Sequence, residues 1–169
     1  LGASGAPFDD EGVAAYEKRL IDGGRLNTLL HNLKTAKKQG LAASTANASK
    51  PSYASPVGVA PSNLLIRPGD RALGALLSDM GDGLLICELQ GLHAGANPIS
   101  GDFSLSAKGF VVEGGKRGRA VSQITVSGNF YAMLKAILAV GSDLRFLMPG
   151  ASSIGSPSIL VDTLSVAGE

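Results

Sequence analysis

Hydrophobic and polar positions alternate most regularly in the second half of the chain, and this alternation predicts strands. Two alternating runs, Phe103 to Glu113 and Lys116 to Val126, are joined at Gly114-Gly115. Adjacent glycines favour the tight turn of a β-hairpin, so the two runs predict a long hairpin. The continuous apolar run from Leu84 to Leu89 predicts a buried strand before it.

Weaker strand signals lie on either side of this region. Two arms, 14–21 and 25–33, flank Asp22-Gly23-Gly24 and predict an earlier hairpin. Neither arm is cleanly amphipathic, so we expect both of its faces to be partly covered. Further short strands are predicted at Asn63 to Arg67, Leu144 to Met148 and Ser158 to Val166.

Helical spacing appears in two places. Asp70 is a candidate N-cap for a helix with an apolar stripe at Leu73, Leu76, Leu77 and Met80. Ser127 or Asn129 is a candidate cap for a second helix, whose stripe is Phe130, Met133, Leu134, Ile137 and Leu138. A single helical turn is predicted at Thr35 to Gln39. With roughly eight strands, these elements predict an α+β fold with a mainly antiparallel, strongly curved or barrel-like sheet and two or three helices.

Composition narrows the class of protein. The chain has 169 residues, 44% of them hydrophobic, which suits one packed domain over 1–169. A net charge of +1 gives no electrostatic case for nucleic acid or an anionic membrane. No apolar run approaches the ~20 residues of a membrane span. Residues 41–62 are rich in Ala, Ser and Pro and predict a long loop, either mobile or ordered against a partner.

Candidate chemical groups are sparse. The lone cysteine, Cys87, falls inside an apolar run and predicts a buried, inert thiol. Only His31, His93 and Cys87 offer soft ligands, without an HExxH or CxxC pair, so a self-contained zinc site is not predicted. For His31 a hairpin histidine satisfied by a backbone neighbour is favoured over a ligand. For Asp9-Asp10-Glu11 a solvated turn is favoured over a metal site.

The stretch from Gly91 to Phe103 is the best candidate for a functional loop. It is glycine-rich and connects two predicted strands, and it presents Asn97, Ser100 and Asp102 as polar groups. Loops anchored by a rigid scaffold often carry function. The alternative is a plain connection between two core strands.

Several motifs together resemble one known family. They occur in this order: Phe8-Asp9-Asp10-Glu11-Gly12, Leu30-His31-Asn32, Thr35-Ala36-Lys37-Lys38, Pro68-Gly69-Asp70, Asn97-Pro98-Ile99-Ser100-Gly101-Asp102-Phe103-Ser104, Ser127-Gly128-Asn129, Ala139-Val140-Gly141-Ser142-Asp143-Leu144-Arg145, Gly155-Ser156-Pro157-Ser158 and Leu164-Ser165-Val166-Ala167-Gly168. Through nearly its whole length the chain resembles the C-terminal domain of the TldD/PmbA family, on its PmbA (TldE) side.

The resemblance implies a part in proteolysis. Family members are longer cytoplasmic proteins, historically called modulators of DNA gyrase. Their TldD-type and PmbA-type subunits form a metalloprotease that degrades unfolded peptides. The TldD-type subunit binds zinc through an HExxxH helix and a cysteine near its C-terminal end. This chain has no HExxxH, Met148 to Pro157 contains no cysteine, and Cys87 lies on an earlier predicted strand. The resemblance therefore implies a non-catalytic subunit that holds no cofactor itself, with zinc in its TldD-type partner.

The same resemblance suggests partners and a candidate face. We expect a TldD-type catalytic subunit and unfolded peptides as partners, and an exposed sheet edge makes a homodimer plausible. The residues predicted to form the peptide or partner face are His31, Asn97, Asp102, Asn129 and Arg145. For Asn97 and Asp102 the alternative role is turn capping and loop bracing. Two other functions stay open: a stand-alone hydrolase with a metal-free site, and a pure protein-binding module.

Overall fold

The chain divides into two compact units in a computed structural model that describes residues 5–146 and 153–168. Unit 1 takes its described residues from Leu1–Ile66 and Arg145–Ser156. Unit 2 takes them from Arg67–Leu144 and Pro157–Glu169. Each unit is described by itself below.

Short elements dominate both units. In chain order they are β1 (Ile21–Asp22), β2 (Arg25–Leu26), α1 (Leu33–Lys38), β3 (Ala48–Ser49), β4 (Gly58–Val59), β5 (Asn63–Leu65), α2 (Leu73–Met80), β6 (Gly83–Gln90), α3 (Leu92–Gly95), β7 (Asp102–Glu113), β8 (Lys116–Asn129), α4 (Phe130–Lys135), β9 (Ile137–Val140), β10 (Arg145–Phe146), β11 (Ser153–Ser156), β12 (Ile159–Val161) and β13 (Ser165–Ala167).

The α+β class with mainly antiparallel pairing is confirmed. Unit 1 contains the hairpins β1-β2 and β3-β4 and a three-stranded sheet, β10-β11-β5, in which only β11 and β5 run parallel. Unit 2 contains a four-stranded antiparallel sheet in the order β13-β8-β7-β6 and the antiparallel pair β12-β9.

The prediction of a strongly curved or barrel-like sheet is wrong. Among the described residues the strands form five separate open sheets, and none of them curves or closes. Within residues 5–146 and 153–168, no strand outside the four-stranded sheet is longer than four residues, which is too short to continue one sheet around a barrel. The described residues contain four helices, not two or three. The helical turn predicted at Thr35 to Gln39 is found as α1, and the additional helix is α3, whose four residues carry no apolar stripe.

The long hairpin of unit 2 is confirmed and forms its centre. β7 and β8 turn at Gly114-Gly115, where φ is +56° and +76°, values that a residue with a Cβ rarely adopts. The side chains on one face form a buried cluster of Ala107, Val121, Ile124 and Val126. β6 packs closely beside β7 at Gly109, since a Cβ there would lie 2.0 Å from the Leu85 carbonyl oxygen.

The strand from Leu84 to Leu89 exists, but the prediction that it is buried is wrong. β6 is an edge strand of the sheet, and its residues are half-buried or exposed. Cys87 is exposed, not buried, and falls at a register shift where β6 bulges between Ile86 and Glu88. An apolar run specifies a strand, but its place in the sheet decides how much of it neighbours cover.

Two helix predictions need correction at their ends. Leu73 to Met80 is helical as predicted, but the N-cap is Ala72, not Asp70, and no side chain caps it. Asn129 caps α4 as predicted, yet α4 ends at Lys135, and Ile137–Val140 is strand β9. Pairing of β9 with β12 overrides the helical spacing of Ile137 and Leu138, as tertiary contacts often override local propensity.

Unit 1 is built largely from turns. The hairpin predicted around Asp22 shrinks to the pairs Ile21-Leu26 and Asp22-Arg25. The Ala/Ser/Pro-rich segment 41–62 contains the β3-β4 hairpin. Within it Ser44, Thr45, Ala46, Asn47 and Ala48 are all buried.

The predicted strands near the chain end are found in part. Of Leu144 to Met148 only Arg145 and Phe146 form a strand, and 147–152 lie outside the described residues. The predicted strand Ser158 to Val166 is divided into β12 and β13, which belong to different sheets. No helix among the described residues has the length and apolar character needed to cross a membrane.

Candidate functional site

The loop between β6 and β7 is a closed, braced structure. Gly91 takes a left-handed conformation with φ of +84°, and α3 follows it directly. Beyond α3 the chain folds back on itself: the Asn97 N–H donates to the Asp102 carbonyl at 2.8 Å, and the Gly101 N–H donates to the Asn97 carbonyl at 2.8 Å. The Asn97 side-chain oxygen accepts the N–H groups of Ile99 and Ser100 at 2.9 and 3.1 Å. Asn97 thus organises the turn from within.

Asn129 ties this loop to helix α4. Its Oδ1 accepts the backbone N–H groups of Tyr131 and Ala132 at 3.0 and 3.2 Å, which is the usual work of an N-cap. Its Nδ2 donates to Asp102 Oδ1 at 2.8 Å and to the Ser100 carbonyl at 2.9 Å. One amide therefore fixes the start of a helix and the orientation of a carboxylate.

Two further contacts hold the loop against α4. The Tyr131 hydroxyl donates to the Pro98 carbonyl at 3.2 Å, and the Phe130 N–H donates to the Gly101 carbonyl at 2.7 Å. Gly101 has φ of +83°, and a Cβ there would collide with the Tyr131 ring at 2.5 Å. The Tyr131 ring and Gly101 together allow the loop to pack closely against helix α4.

Asp102 is the charged group of this site. Hydrogen bonds from the Asn129 amide and the Ser100 hydroxyl lower the pKa of Asp102 below its ordinary value, because they favour the ionised form. The side chain is exposed and forms no ion pair with any described residue. The loop therefore presents a fixed, unpaired negative charge.

An open groove of about 620 Å³ runs beside the loop. Its walls come from α3, from the turn and from the first residues of β7, and they comprise Ala94, Gly95, Ala96, Asn97, Pro98, Asp102, Phe103 and Ser104. Gly95 allows this close packing, since a Cβ there would lie 2.3 Å from the Ser104 carbonyl oxygen. The groove is largely apolar with one carboxylate.

His31 lies elsewhere, in a buried polar network of unit 1. Only 7% of it is exposed, and its Nδ1 lies 3.2 Å from Thr35 Oγ1. Its backbone N–H donates to Thr45 Oγ1 at 2.6 Å, and its carbonyl accepts from Thr45 and Ser44. Asn47 extends the network by accepting from Thr45 at 2.9 Å and from Lys18 at 3.2 Å. His31 is therefore enclosed rather than presented on a surface.

The acidic cluster at the start of the chain binds backbone. Asp9 accepts N–H groups from Glu11, Val13 and Ala48, each at about 3 Å. Burial by itself raises the pKa of Asp9. The three backbone hydrogen bonds and the nearby Lys18 ammonium together lower it by more, so the net shift of the pKa is downward. Burial lowers the pKa of Lys18, and Asp9 partly opposes that shift.

Three of the five predicted face residues come together in the structure. Asn97, Asp102 and Asn129 share the braced loop, whereas His31 is buried in unit 1 and Arg145 is an exposed residue of β10, also in unit 1. Sequence reasoning missed Tyr131 as part of the loop and Thr45 and Asn47 as buried groups. The pattern gives no signal for them, because their partners are distant in sequence.

The described residues do not fit a zinc site. No three groups of His, Cys, Asp or Glu type cluster among them. A protein zinc site needs at least three such ligands converging on one point. The feature that these residues do form is the polar loop between β6 and β7, which is held in place by hydrogen bonds and lies beside an open groove.

Comparison with known proteins identifies the class to which this domain belongs. The family model described as the PmbA/TldA metallopeptidase C-terminal domain matches residues 2–168. The chain therefore belongs to the PmbA/TldD family and corresponds to its C-terminal domain.

Relatives at the level of sequence are longer proteins. The chain is 36% identical to the metalloprotease PmbA homologue of Haemophilus influenzae, over 96% of this chain and 32% of that protein. It is 34% identical to the metalloprotease PmbA of Escherichia coli, over 99% of this chain and 34% of that protein. The chain spans about a third of the length of these curated relatives.

Solved structures share the fold. A candidate modulator of a DNA gyrase from Thermotoga maritima is 44% identical with a TM-score of 0.86, over 98% of this chain and 36% of that one. TldE from Thermococcus kodakarensis is 25% identical with a TM-score of 0.85, over 96% of this chain and 36% of that one.

Proposed function

We propose that this chain is the C-terminal domain of a non-catalytic PmbA/TldE-type subunit, which works with a zinc-bearing TldD-type subunit on unfolded peptides. Similarity to PmbA and TldE over nearly the whole chain supports the assignment to this side of the family. The segment Met148 to Pro157 contains no cysteine, whereas a TldD-type chain is expected to have a zinc-binding cysteine near its C-terminal end, and this supports a role other than supplying the metal site.

The observation that carries the proposal is the use of the polar side chains in the braced loop. The hydrogen bonds of Asn97 and Asn129 hold the turn and helix α4 in place. Asp102 is held as an ion by the Asn129 amide and the Ser100 hydroxyl, and among the described residues neither Asp102 nor Ser100 hydrogen-bonds a histidine that could complete a base–nucleophile pair. Such a loop is suited to binding and positioning a peptide, and it does not resemble a hydrolytic centre.

The free edge of the four-stranded sheet is a suitable track for an extended peptide. Among the strands that the structure describes, β6 pairs with β7 on one side only, so Gly83–Ile86 offers backbone groups on the other. Backbone pairing at a sheet edge is indifferent to sequence, which suits unfolded substrates. The bulge at Cys87 interrupts the regular edge and would limit pairing to one side of it.

The decisive experiment is a mixing assay on an unstructured peptide with zinc supplied. The full-length protein that contains this domain is tested alone, its TldD-type partner is tested alone, and the two are then mixed. We expect cleavage only in the mixture, or much faster cleavage there. Cleavage by this protein alone that survives a chelator would contradict the proposal and favour a stand-alone, metal-free hydrolase.

A further inference from the structure

The groove beside the braced loop combines an apolar wall with one fixed carboxylate. Ala94, Ala96, Pro98 and Phe103 supply the apolar surface, and Asp102 is the one ionisable side chain in the lining. A lysine or arginine side chain has the matching form, an apolar stem with a cationic head.

The carboxylate is prepared for a partner that the described residues do not provide. Several other carboxylates among the described residues are engaged: Asp22, Asp79 and Glu88 pair with Arg19, Arg71 and Lys108. Asp9 and Asp82 accept backbone N–H groups. Asp102 accepts a hydrogen bond from the Asn129 amide and forms no ion pair within the described part of the chain, and it lies in the wall of the groove.

The Asp102 carboxylate is already oriented before a partner binds, so binding costs it little conformational entropy. Asn129 is fixed by its bonds to the start of α4, and it in turn fixes Asp102. A charge held in place before binding loses less conformational freedom on contact with its partner. Because the Asp102 carboxylate is negatively charged, the groove favours a cationic side chain over a neutral or acidic one.

We propose that this groove binds the side chain of a lysine or arginine residue in an extended peptide, with Asp102 as the counter-charge. The inference rests on the proposed function only in taking the ligand to be a peptide. It predicts a preference for basic residues at one position of the bound peptide. Exposed ion pairs contribute modestly, so we expect the preference to be about two- to five-fold in Kd.

The test uses fluorescent peptides with both ends blocked and one variable position, binding to the full-length protein without its partner. Lysine or arginine at that position is compared with norleucine or citrulline, which keep the length and remove the charge. A third peptide carries norleucine and a free amino terminus. We expect tighter binding for lysine and arginine only, and the difference should disappear near 1 M salt, where the Debye length is about 3 Å.

Asp102→Asn should abolish the difference, since it keeps an oxygen for the Asn129 amide and removes the charge. Asp162→Asn is the matched control, because Asp162 is exposed and does not line the groove. Equal binding of lysine and norleucine peptides overturns the proposal. So does a preference that Asp102→Asn leaves intact, or one that the free amino terminus reproduces.

Failure here is distinguishable from failure of the proposed function. The peptide-binding assay needs neither zinc nor the TldD-type partner, whereas the mixing assay needs both. A charge preference without cleavage in the mixture would keep this inference and remove the non-catalytic subunit role. Cleavage in the mixture without a charge preference would do the reverse.

Discussion

Unit 1 and unit 2 bury different kinds of residue. In unit 1 the described buried residues are small or polar: His31, Asn32, Ala36, Ser44, Thr45, Ala46, Asn47, Ala48, Ser153 and Gly155. In unit 2 the described buried hydrophobic residues are Leu76, Leu105, Ala107, Val112, Val121, Ile124 and Val126. Unit 2 is thus held together by aliphatic packing, and unit 1 by a network of satisfied hydrogen bonds.

The comparison shows that burial, not residue type, decides what a polar side chain does. Asn32 and Asn129 both cap a helix through Oδ1. Asn32 is 3% exposed, and its Nδ2 donates to the carbonyls of Val57 and Gly58. Asn129 is half-buried, and its Nδ2 holds a loop that borders an open groove. The first amide stabilises the fold, and the second prepares a surface.

The largest expected difference comes from the same substitution in both caps. We expect Asn32→Ala to lower the free energy of unfolding by about 2–3 kcal/mol, because it removes a cap and leaves buried carbonyls without a donor. Asn129→Ala should cost about 1 kcal/mol, since water can reach the groups it exposes. Chemical denaturation of the full-length protein measures both. Equal losses would contradict the comparison.

A second substitution separates the two roles of Asn129, which caps helix α4 through Oδ1 and holds the loop through Nδ2. Asn129→Ser keeps an oxygen that can cap α4 but removes the donor to Asp102 and Ser100. We expect most of the stability to return, while the loop exchanges amide hydrogens faster at Ile99 to Gly101. Unchanged exchange there would show that the Asn129 amide does not hold the loop.

The buried network should also fail when one hydroxyl is removed. Thr45→Val keeps the shape but leaves the His31 N–H without its acceptor. We expect a loss of about 1–2 kcal/mol in the free energy of unfolding, the usual cost of an unsatisfied buried group. Thr163→Val, at an exposed position, is the matched control and should be close to neutral. A neutral Thr45→Val would mean that water enters the network.

The smallest expected effect is a pH-dependent one at Asp9. Its pKa is lower in the folded protein, so ionised Asp9 stabilises the fold above the unfolded pKa of about 3.9, and this stability is lost as pH falls through the folded value. We expect Asp9→Asn to cost up to about 1 kcal/mol at pH 7 and less at pH 3. Denaturation at both pH values checks it, with Asp70→Asn as an exposed control. A cost independent of pH would point to shape rather than charge.

The candidate site was partly readable from sequence. Asn97 and Asp102 stand out in a glycine-rich loop, and Asn129 stands out as a cap before an apolar stripe. Their meeting is set by the register of the hairpin, which places Asp102 opposite Asn129. That register depends on bulges in β8, one of them beside Gln123 with φ of +58°, which no local pattern announces.

The sequence by itself determined the elements whose signals are local. Alternation with Gly114-Gly115 specified the long hairpin, and helical spacing specified α2, because side-chain periodicity and backbone preference act between near neighbours. Tertiary structure alone decided which surfaces are covered. It left β6 and Cys87 at an exposed edge, turned Ile137 into a strand residue, and enclosed His31, because these outcomes depend on partners distant in the chain.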